Sequence, residues 1–239
     1  KDHKVFSNYG VILKNLGNLK EAEEYTRKAI EIHPNYATAH SNLGNILKDL
    51  GKLRGAELST RKAIEINPNC AISNYNLGKI LIDQGKLKEA EIFIRKAIEI
   101  NPNYEMAHYY LGNILIDLGE FDEAWISIYK SIKINPNLVK AYLSLSQLQS
   151  SIYNQDILKK HLFSDNILND KIPNEKVDIY FARANVLHKE KNYKESAKYL
   201  QLANNIKLEL KSSNPDNLIK KSKFLLIESE GIEINQYES

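Results

Sequence analysis

A chain of 239 residues with 33 Lys and Arg against 30 Asp and Glu carries a formal net charge of +3. Both signs are interleaved along it, so there is no basic block to neutralise a phosphate backbone, and nucleic acid is not an expected partner. The single cysteine, Cys70, excludes an internal disulfide framework and a cysteine-based zinc site and fits a reducing compartment, so a cytoplasmic location is expected. No apolar run approaches the roughly 18 residues that span a bilayer, so no membrane partner is expected, and Lys1 to Lys14 hold no signal-type hydrophobic segment.

Laid over itself at a shift of 34, the sequence aligns Leu43-Gly44 with Leu77-Gly78 and Leu111-Gly112, and Tyr9-Gly10 falls in the same register. With units beginning at His3, Ala37, Ala71 and Glu105, position 15 is Gly17, Gly51, Gly85 and Gly119, and position 20 is Ala22, Ala56, Ala90 and Ala124. Position 27 is Ala29, Ala63, Ala97 and Ser131, and position 32 is Pro34, Pro68, Pro102 and Pro136. Glycine at 15 ends a first helix in the left-handed conformation, and proline at 32 stops a second. Small residues at 8, 20 and 27 let the two helices cross closely. Each helix is too short to be stable alone in water, so the units must stack. This pattern resembles the tetratricopeptide repeat family over residues 3–138. The resemblance implies an all-α fold, a right-handed superhelical solenoid of antiparallel helix pairs. About six units plus a C-terminal capping helix are expected. At position 4, Phe6 is the aromatic usual in the family, whereas His40, Asn74 and His108 depart from it, a departure that bears on local packing.

Past Leu138 the register degrades. Residues 139–172 read as a fifth unit, with Val139 to Ser151 as its first helix. Its second, Asp156 to Leu168, carries Leu158 and Leu162 where small residues belong, so the hairpin is expected to open or tilt. A four-residue excess around Asp170 to Asn174 accompanies the start of a sixth unit, assigned to residues 173–211, that recovers Ala184 and Ala203. Residues 215–229 read as an amphipathic cap and 230–239 as a disordered tail.

Chemistry is not legible in this pattern. The Gly-Lys pairs are helix ends rather than a phosphate loop. The histidines lack metal-ligand spacing, and Asp49, Asp83 and Asp117, all at position 13, read as a solvated edge. No catalytic residue, cofactor or metal is expected, and the chain is not expected to be an enzyme by itself.

A binding surface is legible instead. At 100° per residue, positions 4, 7, 8 and 11 of a first helix face its partner, and positions 2, 5, 6, 9, 12 and 13 face the other way. In tetratricopeptide arrays the first helices line the concave side, so the second set implies a groove. Its first two units are polar, with Asn8, then Ser41, Asn42 and Asn45. The next two turn aromatic and apolar: Ile72, Tyr75, Asn76 and Lys79, then Met106, Tyr109, Tyr110 and Asn113. Tyrosine supplies contact area at low entropic cost, and an Asn amide can satisfy an extended backbone, so a protein or peptide partner is expected there. Asn8, Asn42 and Asn76, all at position 6, look like the asparagine ladder of O-GlcNAc transferase, which ends here at Tyr110. The lysine of the chaperone-tail clamp has no counterpart at position 5. The outer face reads as charge-paired and solvated, from Glu23 with Arg27, Glu24 with Lys28, Glu57 with Arg61 and Glu91 with Arg95. Residues 177–211 are similar to the last helix pair before the catalytic domain in bacterial tetratricopeptide-sulfotransferase fusions. An alternative reading is therefore a substrate-recruiting region of a larger sulfotransferase. A second alternative is a scaffold that associates with itself as a homo-oligomer.

Overall fold

The structure is a computed structural model that describes residues 2–148 and 155–212. The predicted cap and tail, and the end of the fifth unit's first helix, lie outside the described residues. All regular elements among the described residues are helical. In chain order they are α1 (His3–Asn15), α2 (Leu19–Ile32), α3 (Ala37–Asp49), α4 (Leu53–Ile66), α5 (Ala71–Asp83) and α6 (Leu87–Ile100). There follow α7 (Glu105–Asp117), α8 (Phe121–Ile134), α9 (Val139–Gln147), α10 (Gln155–Leu162), a 3-10 turn (Asp165–Leu168), α11 (Pro173–Lys189) and α12 (Tyr193–Ser212). The chain divides into two compact units, residues 1–153 and 154–239. None of the helices among the described residues is long and apolar enough to cross a membrane.

In the first unit α1 pairs with α2, α3 with α4, α5 with α6 and α7 with α8, and each second helix also packs on the next first helix. Each first helix starts at the residue where its repeat begins, because the punctuation is local. Gly17, Gly51, Gly85 and Gly119 take φ between 74° and 83°. At Gly51 the Lys52 N–H donates to the Leu47 carbonyl at 2.8 Å and the Gly51 N–H to that of Lys48 at 2.9 Å. This reversed pair of bonds satisfies carbonyls that the helix end leaves free.

The small positions work as expected. Ala22, Ala56, Ala90, Ala29, Ala63 and Ala97 are fully buried, and Gly78 passes so close to α6 that a Cβ there would lie 2.6 Å from Ile94 Cγ1. The polar departures at position 4 have a use of their own. His40 Nε2–H donates to the Pro34 carbonyl at 2.7 Å, His108 Nε2–H to Pro102 at 3.0 Å, and Asn74 Nδ2 to Pro68 at 3.3 Å. Each ties a new first helix to the turn before it, a job an aromatic ring cannot do. Burial holds the His108 imidazole below its ordinary pKa, consistent with a neutral donor.

The helices assigned to the fifth repeat fall on either side of the division, α9 in the first unit and α10 in the second. Leu158 and Leu162 are buried within the second unit. The four extra residues before the sixth repeat do not form a loop alone. Helix α11 starts at Pro173, so the excess lengthens the first helix by about a turn. Glu175 supports that start by accepting from the Ile172 N–H at 3.2 Å. Arg183 is buried in α11 and donates to the Leu162 carbonyl at 2.9 Å and the Ser164 carbonyl at 3.3 Å, capping α10. Its guanidinium also lies 5.4 Å from the ring centres of Phe163 and Tyr199.

Candidate peptide groove

Within the first unit α1 touches α3, α3 touches α5 and α5 touches α7, more closely than the second helices approach one another. The array therefore curves with its first helices on the inner side. That inner side is where positions 2, 5, 6, 9, 12 and 13 lie.

Two sets of rungs join neighbouring first helices there, each between residues 35 apart. In the first, position 6 of one unit meets position 5 of the unit before. Asn42 Nδ2 donates to Ser7 Oγ at 3.0 Å, and Asn76 Nδ2 to Ser41 Oγ at 3.4 Å. At the next step the same pair is Tyr75 and Tyr110, whose ring centres are 5.6 Å apart. In the second set, Lys14 at position 12 lies 3.0 Å from Asp49 at position 13, and Lys48 lies 3.7 Å from Asp83. Where Ile82 replaces the lysine this set stops, and Asp117 has no ion pair among the described residues.

The rungs change what the inner face can offer. Asn76 and Ser41 are each only 6% exposed and bonded to their neighbours, whereas Asn8 is open to solvent and Asn42 and Asn45 are partly so. An amide engaged by one N–H keeps a second N–H and its oxygen, so Asn42 can still meet a partner backbone. Tyr75 is buried rather than presented, with Tyr104 at 4.8 Å on one side and Tyr110 on the other. Tyr109, 5.6 Å from Tyr110, is partly exposed, as are Met106 and Asn113, and Ile72 is 60% exposed. Lys79 projects its ammonium over the cluster, 5.4 Å from the Tyr75 centre and 5.6 Å from that of Tyr110.

The electrostatics follow from this packing. Burial, reinforced by the charge of Lys48, pulls the Lys79 ammonium below its ordinary pKa. Burial pushes the Tyr75 and Tyr110 hydroxyls up, and that of Tyr104 to about 12. Lys79 makes no ion pair among the described residues. Beyond the tyrosines the inner face continues into a hollow of about 530 Å³ lined by Asn113, Ile116, Asp117 and Phe121 with Ser144, Gln147 and Leu148 of the next turn and helix.

The structure thus brings Ile72, Tyr75, Lys79, Met106, Tyr109 and Tyr110 to one stretch of α5 and α7, and sets Asn8 apart at the start of the array. Sequence reasoning missed Tyr104. It caps α7 from position 34, where the other units have Tyr36, Cys70 and Leu138, so only a comparison of the turns could have singled it out.

Comparison with known proteins agrees with this architecture. Tetratricopeptide repeat models match residues 37–70, 71–104, 93–126 and 177–209 as well as 3–36, and the chain belongs to the tetratricopeptide repeat family. No curated protein matches it. Among solved structures, Pseudomonas aeruginosa PilF is 19% identical with a TM-score of 0.70, over 88% of this chain and 97% of that one. MamA from Desulfovibrio magneticus RS-1 is 15% identical with a TM-score of 0.56, over 87% and 96%. YrrB, described as a tetratricopeptide protein with an unusual peptide-binding site, is 21% identical with a TM-score of 0.54, over 78% and 90%. At these identities the likeness is one of fold.

Proposed function

We propose that this chain is a protein-interaction module whose first unit holds an extended segment of another polypeptide along α3, α5 and α7. The observation that carries the reading is the tyrosine cluster at mid-array with the partly buried Lys79 ammonium above it. Tyr109, Met106 and Ile72 supply apolar area, and Asn42, Asn45 and Asn113 supply amides on either side for the backbone of the segment. Lys79 supplies a charge that has no ion pair among the described residues. A fold shared with a peptide-binding protein, YrrB, is consistent with this. The sulfotransferase and self-association readings have no particular contact in their favour.

The test uses the full chain. A display library of random peptides is panned on it, and recovered peptides are titrated against Tyr109→Ala and Lys79→Met. Both positions are partly exposed, so helical circular dichroism is expected to be unchanged. Loss of about tenfold or more in affinity supports the groove. Unaltered binding in both variants refutes it.

A further inference from the structure

Position 22 of the repeat faces outward on the second helices, and in three successive units it is a large aliphatic residue. Leu58 on α4, Ile92 on α6 and Ile126 on α8 are 64%, 65% and 55% exposed. In the first unit the position is Glu24, so the row begins at α4. A single exposed aliphatic needs no explanation, but three in register make a stripe. The outer face is therefore not only the charge-paired surface that its i,i+4 pairs imply.

The charges around the stripe are unequal in availability. The acids at position 21 are engaged. Glu23 pairs with Arg27 and Lys52, Glu57 with Arg61 and Lys86, and Glu91 with Arg95. Arg61 and Arg95 also reach Glu89 and Glu123 of the next second helix, linking α4 to α6 and α6 to α8. One turn before Leu58 and Ile92, by contrast, stand Arg54 and Lys88, both exposed and neither in an ion pair among the described residues, and one turn before Ile126 stands Asp122. One turn after the stripe, Lys62 and Lys96 are paired with Glu65 and Glu99, and Lys130 has no ion pair among the described residues. The free charge beside the stripe is basic. At its α8 end the stripe meets a hollow of about 500 Å³ with Ile98, Leu111 and Ile126 as apolar walls and Arg95, Glu99 and Lys130 among its polar ones.

We propose that this stripe is a second docking surface, separate from the inner groove, and that its occupant is an amphipathic helix of an acidic partner protein. Leu58, Ile92 and Ile126 stand at one position on successive second helices, so an amphipathic helix laid across α4, α6 and α8 can seat the apolar residues of one face on them in turn. Aspartates or glutamates on one flank of that helix then face Arg54 and Lys88.

Two labelled helical peptides of about three heptads each, with one leucine per heptad and flanks of either glutamate or lysine, test this by fluorescence anisotropy with the full chain. The glutamate peptide is expected to bind about tenfold tighter or more. Ile92→Ser is expected to abolish that binding and Lys88→Glu to weaken it several-fold, with circular dichroism unchanged because both side chains are exposed. Lys79→Met on the inner face is expected to leave it alone, which separates this surface from the groove. No binding, equal affinity for the two peptides, or full binding by Ile92→Ser overturns the proposal. So does transfer of the stripe to another occupant: sedimentation with phosphatidylserine vesicles, or concentration-dependent mass, that Ile92→Ser abolishes while the peptides do not bind.

Discussion

The same substitution, glycine to alanine inside a helix, is expected to have opposite signs at Gly78 and Gly55. An exposed helical glycine costs about 1 kcal/mol relative to alanine, so propensity alone favours both changes. At Gly78 a Cβ would sit 2.6 Å from both Cγ1 and Cδ1 of Ile94 and 3.3 Å from the Ala90 carbonyl oxygen. Ile94 is fully buried, and its branched Cβ leaves essentially one rotamer in a helix, so the side chain cannot swing clear. Overpacking of this kind costs about 1–3 kcal/mol, and with the propensity gain subtracted the net loss is up to about 2 kcal/mol. At Gly55 the nearest atom to a Cβ is the flexible end of Leu47, Cδ1, at 3.3 Å, so the propensity term wins and stability rises by about 0.5–1 kcal/mol. Urea unfolding followed by circular dichroism reads both as shifts in midpoint at constant slope. Adding Ile94→Ala to Gly78→Ala should recover part of what the two lose separately, a coupling of about 1 kcal/mol. A stabilising Gly78→Ala, or strict additivity in the double variant, refutes the close-crossing account.

Three further outcomes are expected. Lys191 holds φ at 60° in the turn where the regular repeats place glycine, so Lys191→Gly should raise stability by about 1 kcal/mol in the same urea assay. Lys86, and after it Arg61, hold the Glu57 carboxyl at about 2 against burial, so its stabilisation is present above the ordinary carboxylate range and is lost as pH falls through about 2. Stability measured from pH 7 downward should therefore fall more steeply for the wild type than for Glu57→Gln. Arg183→Met removes both donors from the Leu162 and Ser164 carbonyls and should destabilise the second unit by about 2–3 kcal/mol. Hydrogen exchange should register that loss in α10 to α12 while leaving α1 to α8 protected as before.

Much of the first unit is legible residue by residue. The glycine at 15 and the proline at 32 act within a few residues of themselves, so the first helices begin at His3, Ala37, Ala71 and Glu105, where the repeat places them. The i,i+4 pairs Glu23–Arg27, Glu24–Lys28, Glu57–Arg61 and Glu91–Arg95 form as spaced, because both partners ride on one helix. Less of the candidate groove is legible. Helical periodicity places Asn42, Asn76 and Tyr75 on the inner arc, but an arc does not say whether its side chains meet a partner or the next first helix. Asn76 and Tyr75 meet the next helix, Asn76 through Ser41 and Tyr75 through Tyr110. In the fifth repeat, Leu158 and Leu162 stand where small residues belong, and both are buried within the second unit, an outcome that the local pattern does not specify.

By itself, then, the sequence determined the repeat length, the hairpin within each repeat, the family and the arc of each helix that faces inward. These rest on φ preferences, side-chain size and the 100° step of a helix, all of which act locally. Only the tertiary structure decided how arcs in successive repeats confront one another. The rungs join residues 35 apart, and so do the Lys14–Asp49 and Lys48–Asp83 pairs, a separation set by how one hairpin stacks on the next. Stacking also decided which charges on the outer face are spent between repeats, and which, like Arg54 and Lys88 beside Leu58 and Ile92, have no ion pair among the described residues.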